Sequence, residues 1–256
     1  GARLAVLKQD AVHRNSSADN FVTGFVGGNW SVSEQSALTV EVSRGARAAN
    51  LSEKYFSGTT GRGQVLGNPH LAPENANSID LGYSYQGPDI ELEIHAYYMD
   101  LHDFIERLDI TPQLTAFRNS EGAKIQGTEF IANWHIMPGL RLTTGGHYQD
   151  GETDEGEPLQ DVAPSKVLLG ASYQWKQWQA ALNYQYRFEK SRVALGEQAV
   201  DNAQLLSGSI SRDLGASVSI SLWGRNLLND TYLITTDDLS TNGEQRAIGV
   251  QLIWRD

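Results

Sequence analysis

Residues 166–188 contain two runs of alternating apolar and polar side chains, joined by a two-residue turn at Lys176 and Gln177. The second run has Trp178, Ala180, Leu182, Tyr184, Tyr186 and Phe188 on one side, and Gln179, Ala181, Asn183, Gln185 and Arg187 on the other. Side chains on a strand point alternately to opposite faces, so this pattern predicts a β-hairpin with one apolar and one mostly polar face.

Each strand of this hairpin has roughly ten residues, which is the length that crosses a bilayer when the strand is tilted. The apolar face carries tryptophan at the turn and tyrosine and phenylalanine at the far end. Aromatic residues at both ends of an apolar band are typical of a membrane-spanning β-barrel. The hairpin therefore predicts an all-β, antiparallel transmembrane barrel.

Composition is compatible with that interpretation and excludes others. The chain has 256 residues, of which 40% are hydrophobic, and a mean hydropathy of −0.39. No apolar run approaches the ~20 residues of a membrane helix, and a β-barrel looks equally hydrophilic because half of each strand faces water. The absence of cysteine fits export through an oxidising compartment. The net charge of −11 argues against a nucleic-acid partner, which would require a basic surface.

Alternation recurs along the chain and predicts about twelve strands. The connections between these runs alternate strictly between short and long. Short turns at 33–35, 86–89, 137–139, 176–177 and 213–215 alternate with long polar connections. Alternate connections of an antiparallel meander lie at the same end, so one end is predicted to be tight and the other elaborated, as in outer-membrane barrels. Five of the six tryptophans fall near the tight end, and Trp223 is the exception.

Four ordered segments resemble motifs of the TonB-dependent outer-membrane receptor family. Residues 43–55 are similar to its Arg-Ala-Pro-x-Leu-x-Glu-Leu-Tyr segment, with Ala49 in place of Pro and Lys54 in place of Leu. Residues 67–74 resemble Gly-Asn-Pro-x-Leu-x-Pro-Glu, which is the most specific match. Asn119 with Ala123, Gly127 and Glu129 resembles a segment before an outward strand, and 226–232 resemble Asn-Leu-x-Asp-x-Tyr with one extra residue. The chain ends in Trp254-Arg255-Asp256, whereas the family usually ends in an aromatic residue.

The resemblance implies a fold and a function. Residues 1–256 would form the C-terminal portion of a barrel of about 22 strands, with the plug domain and the N-terminal strands outside this sequence. The protein would be a receptor in the bacterial outer membrane that imports a metal chelate such as a ferric siderophore, haem or cobalamin. Energy would come from the TonB-ExbB-ExbD complex, which would bind a TonB-box peptide ahead of the plug. The partners so implied are the chelate, outer-membrane lipid and that complex.

The connection between Asn50 and Pro73 is the first candidate for a ligand contact. It carries Tyr55, Phe56, Arg62 and His70. Aromatic rings and a guanidinium group can hold an anionic metal chelate by stacking and charge-assisted hydrogen bonds. The alternative is a surface loop with no ligand role.

Other candidate sites favour plainer interpretations. Glu91, Glu93 and His95 share a polar face, but successive residues on one face of a strand lie ~7 Å apart and do not converge on a metal. The acidic run 150–158 lacks the spacing of an EF-hand and is expected to be solvated. Nucleophile, zinc-hydrolase and P-loop patterns are absent, so we predict no enzyme, no resident cofactor and no metal site.

The sequence also allows two alternatives to the receptor hypothesis. The first is a passive porin-like channel of about twelve strands, complete as it stands. The second is a soluble β-sandwich of the adhesin or lectin type, in which the apolar faces would be buried against a second layer of protein.

Overall fold

A computed structural model describes residues 1–9, 17–61, 63–111, 113–215 and 217–254. The elements, in chain order, are β1 (Ala2–Gln9), β2 (Ser17–Ser31), β3 (Ser36–Arg47), α1 (Leu51–Tyr55), β4 (Ser57–Thr60), β5 (Gly63–Leu66), β6 (Glu74–Gln86), β7 (Ile90–His102), β8 (Ile105–Thr111), β9 (Leu114–Asn119), β10 (Gly122–Met137), β11 (Leu140–Thr153), β12 (Lys166–Trp175), β13 (Trp178–Arg187), β14 (Ala203–Asp213), β15 (Val218–Arg225) and β16 (Ala247–Trp254).

Twelve of these strands form one antiparallel sheet, in the order β1-β2-β3-β6-β7-β10-β11-β12-β13-β14-β15-β16. This confirms the predicted strand number and the antiparallel meander. Directly paired residues share a face, so Leu182 lies between Ala171 and Gly208, and Asn183 between Gly170 and Ser207. In the described part of the chain, β1 pairs only with β2 and β16 only with β15, so the sheet has two open edges.

The predicted sorting of the connections is confirmed. The connections at 32–35, 87–89, 138–139, 176–177 and 214–217 lie at one end of the sheet, which we call the turn end. The connections at 48–73, 103–121, 154–165, 188–202 and 226–246 lie at the other, which we call the loop end. Loops of these lengths at one end only are typical of outer-membrane barrels.

One face of the large sheet, which we call the apolar face, is not covered by protein. Leu182 is 50% exposed, Ile220 39% and Leu252 65%, although all three are large apolar side chains. Tyr184 is half-buried, and its hydroxyl is bonded to Oε1 of Gln204 at 3.1 Å. The soluble sandwich alternative is therefore wrong, because it requires this face to be buried under a second layer.

The tryptophan pattern is confirmed and its exception is explained. Trp175 pairs with Trp178 beside the tight turn, and both are exposed on the apolar face. Trp223 instead shares the opposite, polar face with Ser221 and lies over Gly249, where an added Cβ would come within 2.4 Å of its ring. Trp223 therefore fills the space on the polar face that Gly249 leaves open. It does not belong to the group of exposed tryptophans at the turn end of the apolar face.

The faces of β2, which its glycines obscure in the sequence, are settled by pairing. Val26 lies opposite Val42 and Trp30 opposite Leu38, so the even-numbered residues belong to the apolar face. The ring of Trp30 lies over Gly28, where a Cβ would come within 2.7 Å of it. The missing side chain is thus replaced by a neighbouring indole, and the apolar face continues through this strand.

The long polar connections contain a second sheet, which the sequence pattern did not predict. Strands β4, β5, β9 and β8 form a four-stranded sheet at the loop end, with β5 and β9 parallel. These strands have four to seven residues each, and β5 reaches β9 from a different connection, as in the pairing of Gln64 with Leu114. Such short, non-local pairing leaves no periodic signal in the sequence.

Among the residues whose side chains the structure describes, the buried apolar ones are confined to the loop end. One cluster contains Leu101, Ala123, Leu159 and Val162, and a second contains Ala49, Leu71 and Ile105. Each of these residues lies in a long connection or at the strand end beside one. Among the described helices, none has both the length and the apolar character required to cross a bilayer.

Candidate functional site

The loop end is held together by an asparagine from one of the family-like motifs. The backbone N–H of Ala72 donates to Oδ1 of Asn119 at 2.8 Å, and the Asn119 amide donates to the carbonyls of Ala72 at 3.1 Å and of Asp103 at 2.7 Å. Asn68 donates its side-chain amide to the carbonyl of Phe117. These bonds join the connection after β3 to the connection after β7. They also provide side-chain hydrogen-bond partners for backbone groups of these connections.

A carboxylate and guanidinium network fixes the segment that begins the first long connection. Asn50 caps α1 by accepting from the N–H of Glu53, whose carboxylate accepts from the N–H of Asn50. Arg47 bonds Glu53 at 3.0 Å and Glu74 at 3.3 Å. Glu74 also accepts from the backbone N–H of Ile105 at 3.0 Å. The family-like residues therefore act first as structural supports of the loop end.

Lys54 explains one departure from the family motif. It stands where leucine is usual and is only 1% exposed, yet its Nζ lies 2.7 Å from Oδ2 of Asp19 on β2. A buried ammonium group requires such a partner, because an uncompensated charge in the interior is costly. This ion pair attaches α1 to strand β2 of the large sheet. A leucine at this position could make only packing contacts there.

Three of the four predicted ligand residues lie in the described part of the connection between β3 and β6. Phe56 is 41% exposed directly after α1, Tyr55 is half-buried, and His70 is exposed in the turn that follows β5. Arg62 lies outside the described residues. The backbone is closely packed here, since a Cβ on Gly67 would lie 2.8 Å from the Phe56 carbonyl oxygen.

A cavity of about 440 Å³ opens at the loop end and was not indicated by the sequence. It lies between the β8–β9 hairpin and the acidic connection after β11, and its lining includes Arg107 and Arg118. Its carboxylates are more numerous: Glu106, Asp109, Glu155, Glu157 and Asp161. Arg118 is engaged by Glu106, with 3.1 Å between Nε and Oε2. The cavity therefore favours a cationic or neutral group over an anionic one.

The acidic run after β11 is ordered by a neighbouring connection. Arg192 lies 2.9 Å from Glu152 and donates to the Gly156 carbonyl at 2.7 Å. Lys190 donates to the carbonyl of Val162, and burial lowers the pKa of its ammonium group below the usual value. These contacts join the connection after β11 to the connection after β13.

The polar face of the large sheet carries a separate cavity of about 560 Å³. Its lining includes the row His95, Glu129 and His147, which are direct neighbours on β7, β10 and β11. Nε2 of His147 lies 3.9 Å from Oε1 of Glu129, and Nδ1 of His147 is buried with no described partner. In the described ranges no group of three or more His, Asp or Glu side chains is placed to hold a metal, and Glu91, Glu93 and His95 do not converge.

The last long connection is organised by Asn226, another residue of a family-like motif. Asn226 has a positive φ of 44° and donates its amide to the carbonyls of Asp230 and Glu244, both at 2.8 Å. Asp230 accepts in turn from the backbone N–H of Gln204 on β14. The motif thus closes the connection between β15 and β16 onto the sheet.

Comparison with known proteins gives one consistent family. A family profile described as "TonB dependent receptor-like, beta-barrel" matches residues 1–227. A Heme/hemopexin utilization protein C from Haemophilus influenzae (strain 86-028NP) is 24% identical over 180 residues, covering 60% of this chain and 25% of the relative. The corresponding protein from strain KW20 / Rd is 22% identical over 190 residues. The chain thus spans about a quarter of the length of these relatives.

Solved structures share the fold. The structure described as "Copper transporter OprC" has a TM-score of 0.84 at 16% identity, covering 97% of this chain and 42% of that one. The FrpB iron transporter from Neisseria meningitidis (F5-1 variant) has a TM-score of 0.78 at 11% identity, covering 99% and 42%. The siderophore receptor PirA from Acinetobacter baumannii has a TM-score of 0.72 at 16% identity, covering 92% and 41%. At these identities the likeness establishes the fold.

Proposed function

The chain belongs to the TonB-dependent receptor family, and on that premise we propose that its protein imports a metal chelate across a bacterial outer membrane. Proteins of this family are outer-membrane transporters and not enzymes. The cargo class is a ferric siderophore, haem, cobalamin or a similar chelate, and transport is energised through the TonB-ExbB-ExbD complex.

The observation that carries this proposal is the two-sided sheet with its long connections sorted to one end. The apolar face of Leu182, Ile220 and Leu252 is exposed and fits acyl chains, whereas the opposite face is polar. The loop end holds the buried clusters and the hydrogen-bonded motifs. Ordered external loops above a polar wall are what a receptor needs to capture a solute before transport.

The chain would supply part of a larger barrel. It covers 42% of the chain described as a copper transporter and 41% of PirA, and its own sheet has open edges in the described residues. Open edges in a hydrocarbon environment would leave backbone groups unpaired at a cost of several kcal/mol each. We propose that residues 1–256 form the C-terminal portion of a barrel of about 22 strands, with a plug domain elsewhere in the protein.

The relatives and neighbours support the chelate class but differ in cargo. Their descriptions name haem and hemopexin, copper, iron and siderophores. Haem, copper, iron and siderophores are metals, metal complexes or chelators of metals, so the common class is proposed here and no single cargo is selected.

Within this class, the connection between β3 and β6 is proposed to contact the cargo. Phe56 and His70 are exposed there, Tyr55 is half-exposed, and Arg62 adds a cationic group in the same segment. Exposed rings stack on flat chelates, and a guanidinium group pairs with their carboxylates. The acidic cavity beside it would take a cationic or neutral part of the cargo.

The experiment that tests the proposal is growth of a strain lacking the intact gene under limiting iron, copper or cobalamin. Each metal is supplied as one chelate at a time, with and without restored expression. We expect loss of growth on one chelate class only, restored by the gene in energised cells and not in cells lacking TonB. Uptake that is unchanged without TonB would favour the passive channel, and no defect on any chelate would contradict the proposal.

A further inference from the structure

The apolar face carries two cations at the turn end, each positioned over a tryptophan. Nζ of Lys176 lies 5.0 Å from the ring centroid of Trp175, and the guanidinium carbon of Arg212 lies 5.1 Å from that of Trp178. Trp175 pairs directly with Trp178, and Trp178 with Arg212. The four side chains therefore form a continuous row across β12, β13 and β14, which we call the cationic quartet.

The quartet faces away from the interior of the barrel. Arg212 pairs with Trp178 on one side and Ile220 on the other, and both belong to the apolar face. All four side chains of the quartet are exposed. Among the described ion pairs, none joins Lys176 or Arg212 to a carboxylate, so both positive charges are available to a ligand.

Lys176 also has a backbone conformation that disfavours a lysine. Its φ is 51°, whereas the other described non-glycine residues with positive φ are Asp103, Asp161, Asn226 and Asn229. Asp and Asn tolerate this conformation because their short side chains bond locally, and a lysine lacks that compensation. The position therefore carries a cation although Gly or Asn would suit the turn better.

The two margins of the apolar face differ in charge. Its loop-end margin carries Asp100, Asp150 and Glu152, and the cations there are already paired, Lys124 with Asp154 and Arg192 with Asp150 and Glu152. The turn-end margin carries Arg212 and Lys176. A phosphate group at the loop-end margin would meet carboxylates and cations that already have acidic partners. At the turn end it would meet a guanidinium, an ammonium and indole rings, which lie at headgroup level in membrane proteins.

We propose that the cationic quartet binds the headgroup of an anionic phospholipid in the leaflet that faces the short turns. Arg212 and Lys176 donate charge-assisted hydrogen bonds to phosphate oxygens, and Trp175 and Trp178 pack against the glycerol and upper acyl chain. A zwitterionic headgroup binds less tightly because its own ammonium opposes the two cations. This inference rests on the membrane placement proposed above.

The test uses the intact receptor that contains this chain, purified in a non-ionic detergent and stripped of lipid. Phosphatidylglycerol and phosphatidylcholine with identical acyl chains are titrated separately, and bound lipid is counted by native mass spectrometry. The double variant Lys176→Gln with Arg212→Gln removes both cations. Arg141→Gln is the matched control, because Arg141 is exposed near the same end on the polar face.

We expect tighter binding of phosphatidylglycerol by the wild type, with roughly fivefold lost per cation removed. The Arg141→Gln control should keep the preference. Equal binding of the two lipids by the wild type, or equal losses in the control and the double variant, would contradict the proposal that the cationic quartet binds an anionic headgroup. Binding of neither lipid by a folded wild type would instead count against the membrane placement itself, so the two failures are distinguishable.

Discussion

The wall of the large sheet and its loop end are stabilised in different ways. The wall is a single layer whose largest apolar side chains, such as Leu182 and Leu252, remain exposed to the surroundings. The loop end contains the buried clusters, a buried ion pair and a network centred on Asn119. The wall therefore depends on its ladder of backbone bonds and on lipid, whereas the loop end folds by the rules of a soluble protein.

This difference implies opposite sensitivities to mutation. On the wall, the face on which a substitution lies should matter more than its size, since the two faces meet different solvents. At the loop end, the loss of a hydrogen-bond or ion-pair partner should matter more than exposure.

The largest effect is expected from a charge on the apolar face near the middle of β13. Leu182→Arg should block membrane assembly, at a cost of about 2–4 kcal/mol near the bilayer midplane. The neighbouring Asn183→Arg, on the polar face, should be tolerated. Folded receptor in the outer membrane, measured by heat-dependent gel mobility, distinguishes the two variants. Equal tolerance of both substitutions would break the assignment of faces.

A comparable effect is expected at the buried ion pair of the loop end. Lys54→Leu restores the residue usual in the family but leaves the Asp19 carboxylate unpaired, with its side chain only 11% exposed. We expect a loss of about 3 kcal/mol in loop stability, measured by resistance to proteolysis of the purified receptor. The double variant Lys54→Leu with Asp19→Asn should recover most of this loss. A single variant as stable as the wild type would show that the pair does not tie α1 to the wall.

Asn119→Ala tests the network that joins two long connections. It removes three hydrogen bonds to Ala72 and Asp103 and should cost about 2 kcal/mol, because the backbone groups of these two residues lose their partners. The expected readout is faster amide hydrogen exchange at 67–74 in the intact receptor. Asn183→Ala on the wall, where no such bonds are made in the described structure, should leave those amides unchanged. Identical exchange in both variants would argue against a bridging role.

The smallest expected effect is a pH dependence at Lys190. Burial lowers the pKa of this lysine, so between its folded pKa and its unfolded pKa the unfolded state binds more protons. Its contribution to loop stability should therefore rise with pH through that window and level off above the unfolded pKa. Thermal unfolding of the loop end at pH 8–11 should show a shallower rise for Lys190→Met than for the wild type. A steeper rise of stability with pH in the variant would contradict a lowered pKa for Lys190.

The wall could be predicted from the sequence because the membrane imposes its own pattern on every strand. Period-two alternation identified the hairpin that contains Leu182 and the other strands. The positions of these strands then gave the lengths of the connections and their sorting to two ends. Most of the loop end could not be predicted, because its contacts join distant segments. The partner of Lys54 lies 35 residues away on β2, and Gln64 pairs with Leu114. A lysine replacing the usual leucine was the one visible signal that an acidic partner was required.

The candidate ligand site was predictable only in part. Exposed rings and a histidine do lie in the expected connection, but the acidic cavity near Arg118 is formed by segments that give no joint signal in sequence. The family-like motifs around Asn119 and Asn226 proved to be structural supports. Motif residues in a loop thus indicate where it is fixed more directly than where it binds.

The most direct test of the two-sided wall is cysteine scanning through β13, because the chain contains no cysteine of its own. Single cysteines at 180–185 in the intact receptor are labelled in membranes with a fluorophore, followed by a lipid-embedded quencher. We expect quenching at 180, 182 and 184 and reaction with a charged, water-soluble thiol reagent at 181, 183 and 185. Uniform reactivity along the strand, or quenching at 183 rather than 182, would contradict a barrel wall with acyl chains on one side and an aqueous interior on the other.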